Sequence, residues 1–183
     1  MNFDLQPTLV SDLITVVPLK EEDFERLFAV ASDPLIWEQH PNKDRYKRDV
    51  FENFFKGAME SKGAFIVYEN ETNKIVGSSR YYDLDEEDRS VAVGYTFVAR
   101  EFWGKGHNKA LKTLMFNHAF QFVDKVLLHI GATNFRSQKA IEKLGGVKIA
   151  ELEVAYYGES LKWNFVYQVD QANWKKVYLN AEL

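Results

Sequence analysis

Residues 103–108 separate two stretches of different pattern and determine the expected fold; they read Trp103, Gly104, Lys105, Gly106, His107, Asn108. Before them, residues 91–98 are rich in β-branched and aromatic side chains, which predicts a strand. After them, apolar residues recur at the spacing of an amphipathic helix, at Ala110, Leu111, Leu114, Met115, Ala119 and Phe122. The sequence therefore predicts a strand, a glycine-containing turn and a long helix in direct succession.

Such a junction is suited to binding an anion. The first N–H groups of a helix have no partner inside the helix, and the helix dipole adds to their positive potential. Gly104 and Gly106 would let a diphosphate approach the backbone, and Lys105, His107 and Lys109 would add positive charge. A tight turn with no ligand is the alternative. The Walker and Rossmann motifs are disfavoured, because Gly106 follows Lys105 and position 109 is not glycine.

The rest of the chain predicts one mixed sheet flanked by helices. Predicted strands cover residues 9–19, 65–68, 75–82, 91–98, 126–130, 147–154 and 163–169. Predicted helices cover residues 21–33, 50–58, 107–122 and 135–144, and Asn134 is the expected N-cap of the last one. Gly94, inside the fourth strand, predicts a bulge or a close backbone approach. With 183 residues and no linker or repeat, the chain is expected to form one domain over residues 1–183.

Composition excludes several classes of function. A net charge of −4 argues against nucleic acid as a main partner. The absence of cysteine excludes disulfides, thiolate metal sites and a cysteine nucleophile. His107 and His118 would lie about 16 Å apart on one helix, so no metal site is predicted. The aromatic content of 15% predicts large core residues, with an aromatic-lined pocket as the alternative.

The location of the protein is inferred from its apolar pattern. No apolar run approaches the ~18 residues of a membrane span, so no membrane association is expected. Residues 1–6 include Asp4 and lack the basic and then apolar pattern of a secretory signal. A cytoplasmic protein is therefore expected.

Two motifs resemble the GNAT acetyltransferase superfamily, and within it the branch of ribosomal-protein N-terminal acetyltransferases (RimJ/RimL-like). The superfamily's phosphate loop reads Gln/Arg-x-x-Gly-x-Gly/Ala, and residues 103–108 occupy its six positions, with Asn108 at the last. Trp103 and the run Trp-Gly-Lys-Gly are typical of the branch. Residues 134–146 resemble its NxxS…EKLGF segment, with Gly146 replacing the aromatic. The resemblance covers nearly the whole chain.

The resemblance implies an α/β fold with a mixed, mostly antiparallel sheet of about seven strands and about four helices. It implies that strand four (91–98) splays from strand five (126–130) and that acetyl-CoA lies in the gap. The residues implied to bind acetyl-CoA are Phe97, Val98, Trp103, Gly104, Lys105, Gly106, His107, Asn108, Asn134 and Lys139. Asn134 as a helix cap alone, and Lys139 as solvated surface, are the alternatives.

The resemblance also implies an enzyme that transfers acetyl to a primary amine, either a protein N-terminus or a small molecule. In many members a tyrosine protonates the leaving sulfur, but the matching position here is Ile141. The branch's serine corresponds to Ser137, which is expected to be the general acid; a surface serine is the alternative. The residues expected near the acceptor are Trp37, His40, Tyr81 and Tyr82.

Several points stay open from the sequence. The general base, the acceptor and the choice between monomer and homodimer are not determined. The acidic loop at residues 83–88 would suit a cationic acceptor or would simply be solvated. A non-catalytic module that senses CoA or acyl-CoA is the alternative function, because the usual tyrosine is missing.

Overall fold

A computed structural model of the chain describes residues 2–155 and 160–179. Within these residues the chain forms eight strands and five α-helices. The strands are β1 (Leu9–Val10), β2 (Ile14–Pro18), β3 (Ala64–Glu69), β4 (Ile75–Asp85), β5 (Ser90–Val98), β6 (Lys125–Gly131), β7 (Val147–Val154) and β8 (Lys162–Asp170). The helices are α1 (Phe24–Ala31), α2 (Arg48–Ser61), α3 (His107–Ala119), α4 (Phe135–Glu142) and α5 (Gln171–Leu179).

All eight strands belong to one sheet, in the order β1-β2-β3-β4-β5-β6-β8-β7. Every neighbouring pair is antiparallel except β5 and β6, which are parallel. The predicted mixed, mostly antiparallel sheet is confirmed. The first predicted strand divides into β1 and β2, because the Ser11 hydroxyl accepts hydrogen bonds from the N–H groups of Leu13 and Ile14 and makes a turn there. The predicted strands four and five are therefore β5 and β6.

Helix α5 is the element that the sequence did not predict. Its apolar side chains are only weakly segregated to one face, so its helical pattern is weak. Tertiary contacts hold it in place: the Trp174 ring packs against Phe116 of α3 with centroids 5.3 Å apart, and its Nε1 donates to Asn117 Oδ1 at 2.7 Å. Helix α3 also ends earlier than predicted, at Ala119.

Apolar clusters cover both faces of the sheet. Strand β3 shows the arrangement, since Phe65 and Val67 join one cluster while Ala64 and Ile66 join the other, as the alternation of a strand requires. The first cluster includes Leu111, Met115 and Phe116 of α3. The second contains Leu27 of α1 and the phenylalanines of α2. Much of the aromatic content is thus in the core, as expected from the sequence.

Strand β5 contains a bulge. Ser78 of β4 pairs with Phe97, but Arg80 pairs with Gly94, so β5 has one more residue than its partner over this stretch. Tyr95 within it has a φ of 52°, a left-handed conformation that is uncommon for a residue with a side chain. The bulge predicted from Gly94 is confirmed, and bulges of this kind bend a strand away from its neighbour.

Strand β4 makes a close approach to the end of β5. A Cβ added at Gly77 would lie 1.9 Å from the Phe97 carbonyl oxygen. That oxygen belongs to paired backbone, which cannot move without disturbing the sheet. Glycine is therefore required at this position.

We expect Gly77→Ala to lower the free energy of unfolding by about 2 kcal/mol or more, through the steric conflict with Phe97. Gly104→Ala is the comparison, because its added Cβ meets nothing within 4 Å and only its left-handed φ of 72° costs energy, about 1 kcal/mol. Urea denaturation of both variants measures the difference. Equal destabilisation by the two substitutions would contradict the role assigned to Gly77.

Candidate active site

A cavity of about 260 Å³ opens where β5 and β6 separate. Residues 90–92 of β5 pair with residues 125–127 of β6, and the two strands diverge beyond these pairs. Side chains from both strands, from the start of α3 and from α4 form its walls. The predicted gap between these strands is therefore present.

The start of α3 lies at one end of this cavity. Gly104 and Gly106 have φ values of 72° and 86°, which glycine adopts without strain. The N–H groups of Gly106, His107 and Asn108 make no hydrogen bond to any residue that the structure describes. Residues 104–106 are exposed. The backbone can thus present several free donors to an anion.

The structure brings together most of the side chains that the sequence analysis selected. Nine of them line the cavity: His40, Tyr82, Phe97, Val98, Trp103, Gly104, Asn108, Asn134 and Ser137. Lys105 and Gly106 lie beside it on the exposed loop. Lys139 lines a separate shallow depression, together with Arg136.

Three of the selected side chains point into the core instead. The His107 ring packs on Phe102 with centroids 4.5 Å apart and is 4% exposed, so it does not face the surface. The Tyr81 hydroxyl donates to the Met115 carbonyl at 2.5 Å, and burial raises the pKa of this phenol well above its usual range. Trp37 is fully buried and supports the cavity wall from behind, with its ring 5.1 Å from that of Phe97.

Helix α4 begins at the cavity wall. Asn134 Oδ1 accepts the Ser137 N–H at 3.2 Å, so the predicted N-cap is confirmed. This hydrogen bond also holds Ser137 in the first turn, half-buried and facing the cavity. One turn later, Ile141 lines the same wall with an apolar side chain. On the face of α4 that lines the cavity, Ser137 therefore provides a hydroxyl group, whereas position 141 does not.

Trp103 connects β5 to α4 across the mouth of the cavity. Its Nε1 donates to the Val98 carbonyl at 2.8 Å, and the Arg136 guanidinium lies 3.9 Å from its ring centroid. Both contacts fix the indole at the cavity wall. The Val98 carbonyl is consequently already bonded within the protein.

The comparisons with known proteins agree with this geometry. A family model described as an acetyltransferase (GNAT) domain matches residues 14–147. The chain belongs to the GNAT acetyltransferase family. No curated protein matches the chain in sequence.

Solved structures show that the fold of this GNAT acetyltransferase is shared. A GCN5-related N-acetyltransferase from Brucella melitensis superposes with a TM-score of 0.81 at 15% identity, over 95% of this chain and 83% of that one. A spermidine N-acetyltransferase from Vibrio cholerae, in complex with CoA and spermine, gives 0.69 at 16% identity, over 90% and 99%. A candidate ribosomal-protein-serine acetyltransferase from Vibrio cholerae gives 0.70 at 14% identity, over 93% and 99%.

Two histidines, His40 and His129, line the cavity. Burial, together with the charges of Arg45 and Arg136, lowers the pKa of His40 well below its usual range. Burial also lowers the pKa of His129, although Asp83 acts in the opposite direction. The Tyr82 hydroxyl lies 3.3 Å from His129 Nδ1. Both imidazoles are therefore mainly neutral at pH 7.

His129 was not selected from the sequence, although it lines the cavity. The available signal was its place on the strand that borders the predicted gap. Among the described residues there is no group of three or more His, Cys, Asp or Glu side chains placed to hold a metal ion. In the same part of the chain, no helix combines the length and apolar character needed to cross a bilayer.

Lys112 was likewise not predicted, yet it lines the cavity one helical turn after Asn108. It is 4% exposed, and its Nζ donates to Thr96 Oγ1 at 2.6 Å. Thr96 in turn is 2.8 Å from the Ser79 hydroxyl. No carboxylate among the described residues forms an ion pair with Lys112. Burial lowers its pKa from 10.5 to about 7.

We expect the buried amine of Lys112 to make stability depend on pH. Between its folded pKa near 7 and the unfolded value near 10.5, the unfolded chain holds more protons, so stability rises with pH through this window. At about 1.4 kcal/mol per pKa unit, the buried charge costs on the order of 5 kcal/mol at pH 6. Lys112→Met removes this cost and should raise the Tm at pH 6.

The gain from Lys112→Met should shrink steadily as the pH rises from 7 towards 10.5, above which the wild-type amine is mainly neutral in both states. Thermal unfolding of both proteins from pH 6 to pH 10 measures the trend. Lys109→Met, on the exposed surface of the same helix, is the control and should leave the pH dependence unchanged. A constant difference between wild type and Lys112→Met at every pH would contradict the buried charge.

Proposed function

We propose that this GNAT acetyltransferase transfers acetyl from acetyl-CoA to a primary amine. The observation that carries the proposal is the cavity between β5 and β6, which joins unbonded N–H groups at the start of α3 to Ser137 and two neutral histidines. Donors for a diphosphate, a proton donor and two proton acceptors thus lie along one continuous space. This combination matches what amine acetylation requires.

The residues present fit acetyl-CoA at the α3 end. The free N–H groups from Gly106 to Asn108 would bind its diphosphate, and the open space around Gly104 leaves room for close approach. Phe97 and Trp103 would line the path of its pantetheine arm, and Asn134 would meet the arm near its reactive end. Lys105 and Lys139 would meet phosphate charge from outside the cavity. When bound, acetyl-CoA supplies a thioester carbonyl that an amine can attack.

Ser137 is the proposed general acid. Its hydroxyl lies on the cavity wall, and the hydrogen bond from its N–H to Asn134 fixes its position. It would donate a proton to the departing thiolate. The side chain at Ile141 cannot do so, because it has no ionisable group.

His129 is the proposed proton acceptor for the amine, with His40 as a second candidate. A neutral imidazole can accept a proton, and Tyr82 is placed to orient the His129 ring. The low pKa of His40 makes it the weaker base of the two. An α-amino group, with a pKa near ~8, needs only such modest assistance, whereas a lysine or polyamine nitrogen needs more.

The charges in the cavity favour a protein N-terminus or an amino compound of low positive charge as the acceptor. Arg45, Lys112 and Arg136 line the cavity, and the described part of the chain contributes no carboxylate to its walls. A polyamine would be repelled there. The acidic loop at residues 83–88 does not line the cavity, and its Asp88 pairs with Lys125 at 2.6 Å. The charges of the cavity and the two sequence motifs together support membership of the ribosomal-protein N-terminal branch. We further propose that residues 1–183 act as one cytoplasmic domain.

An acceptor panel tests the proposed function. Release of CoA thiol would be measured with acetyl-CoA and three acceptor classes: short peptides with free N-termini, amino acids and spermidine. Turnover highest with peptides supports the proposal. A rise in Tm with acetyl-CoA but no turnover with any amine would instead favour the sensor function, and turnover highest with spermidine would contradict the charge argument.

We expect Asn108→Asp to weaken acetyl-CoA binding by about tenfold or more, because a carboxylate in the first turn of α3 repels the diphosphate. The same change should leave the free protein as stable or slightly more so, by about 0.3–1 kcal/mol, since an acid there favours the helix dipole. Calorimetric titration and thermal unfolding measure the two effects. Asn53→Asp on the exposed face of α2 is the control. Unchanged affinity in Asn108→Asp would exclude a diphosphate at this end of the cavity.

We expect Ser137→Ala to lower kcat by about 10²-fold while KM for acetyl-CoA changes little, because a general acid acts only on the departing group. The backbone N–H of residue 137 can still donate to Asn134 Oδ1, so the fold should be unaffected. Ser32→Ala, at an exposed position after α1, serves as the matched control in the same steady-state assay. A variant that keeps nearly full turnover would remove Ser137 from the mechanism.

A further inference from the structure

Lys112 is a buried amine in the wall of the cavity that also holds Ser137 and Asn134. Among the residues that the structure describes, its Nζ makes one hydrogen bond, to Thr96 Oγ1 at 2.6 Å. Thr96 belongs to the bulged part of β5, where the strand leaves β6. The amine is therefore fixed beside the space that the proposed function assigns to the pantetheine arm and its thioester.

A buried lysine without an ion-pair partner needs an explanation. The ion pairs among the described residues involve other lysines and arginines, and most of these are exposed. Structural lysines are usually solvated or paired, because burying an ammonium is costly. The pKa near 7 that results from burial means that about half of the Lys112 side chains are neutral at pH 7. A neutral lysine amine is a nucleophile.

We propose that Lys112 is a self-acetylation site, modified by acetyl-CoA bound in the same cavity. This inference rests on the acetyl-CoA binding of the proposed function. In the step, the Lys112 Nζ lone pair attacks the thioester carbonyl carbon, and a C–N bond forms as the C–S bond breaks. The electron pair leaves with sulfur, and the proton lost from Nζ goes to the thiolate. The products are N-acetyl-Lys112 and CoA.

The product is more compatible with this environment than the reactant. The acetylated side chain is a neutral amide, so the free-energy cost of burying an ammonium is removed. Its N–H can still donate to Thr96 Oγ1. The added acetyl group would occupy part of a cavity of about 260 Å³, so modified molecules should have less room for acetyl-CoA.

Mass spectrometry of the full-length wild-type protein tests the inference. The protein would be incubated with acetyl-CoA at pH 7.5 without an acceptor, and each lysine would then be mapped by peptide analysis. We expect one acetyl group per molecule, at Lys112, appearing at least about tenfold faster than at exposed Lys109, because an ordinary lysine is almost fully protonated at this pH. Excess CoA should slow modification of Lys112 and leave Lys109 unchanged.

Two further arms separate this inference from the proposed function. The Asn108→Asp variant should acetylate Lys112 more slowly but Lys109 at the wild-type rate, since only the bound donor is affected. A wild-type protein that turns over an amine acceptor while Lys112 stays unmodified, or is modified no faster than Lys109, overturns the inference and leaves the proposed function standing. Failure to bind acetyl-CoA overturns both.

Discussion

The site depends on the divergence of β5 from β6. The two strands are hydrogen-bonded over three residue pairs, and beyond Ala92 their facing edges have no common ladder. A bulge in β5, with Tyr95 in a left-handed conformation, turns the strand at this point. The Arg80 guanidinium lies 3.6 Å from the Tyr95 ring and helps to hold the unusual backbone. Because buried backbone groups need partners, a gap of this kind is suited to a ligand that offers amides of its own.

The rim of the gap is held by side chains rather than by the sheet. Trp103 is bonded to the Val98 carbonyl on one strand and stacked under Arg136 on the opposite helix. Asn134 caps α4 and places Ser137 on the wall. These contacts join both sides of the cavity, so the loop before α3, the end of β5 and the first turn of α4 are positioned relative to one another before any ligand arrives. Such preorganisation is what a group-transfer site needs.

Buried charge is the second feature of the site. Lys112 and Arg45 are 4% and 1% exposed and both line the cavity, and His40 is held neutral beside Arg45. Burying these groups lowers stability, and perturbed groups of this kind concentrate at functional sites. The fold that carries them is shared with proteins of 14–16% identity, so the fold alone does not determine the acceptor. The acceptor end is built from irregular segments and strand side chains, which vary more readily than the sheet.

The sequence by itself determined the local elements of the site. The glycines at 104 and 106, the N-cap at Asn134 and the bulge at Gly94 depend on backbone conformation or on hydrogen bonds within a few residues, and all are present. Only the tertiary structure decided which side chains meet. Tyr81 and Trp37 face the core, while Lys112 and His129 face the cavity, because strand twist, the bulge and helix packing set these directions. Helix α5 likewise depends on contacts of Trp174 with α3, residues far apart in the chain, and no local pattern records such contacts.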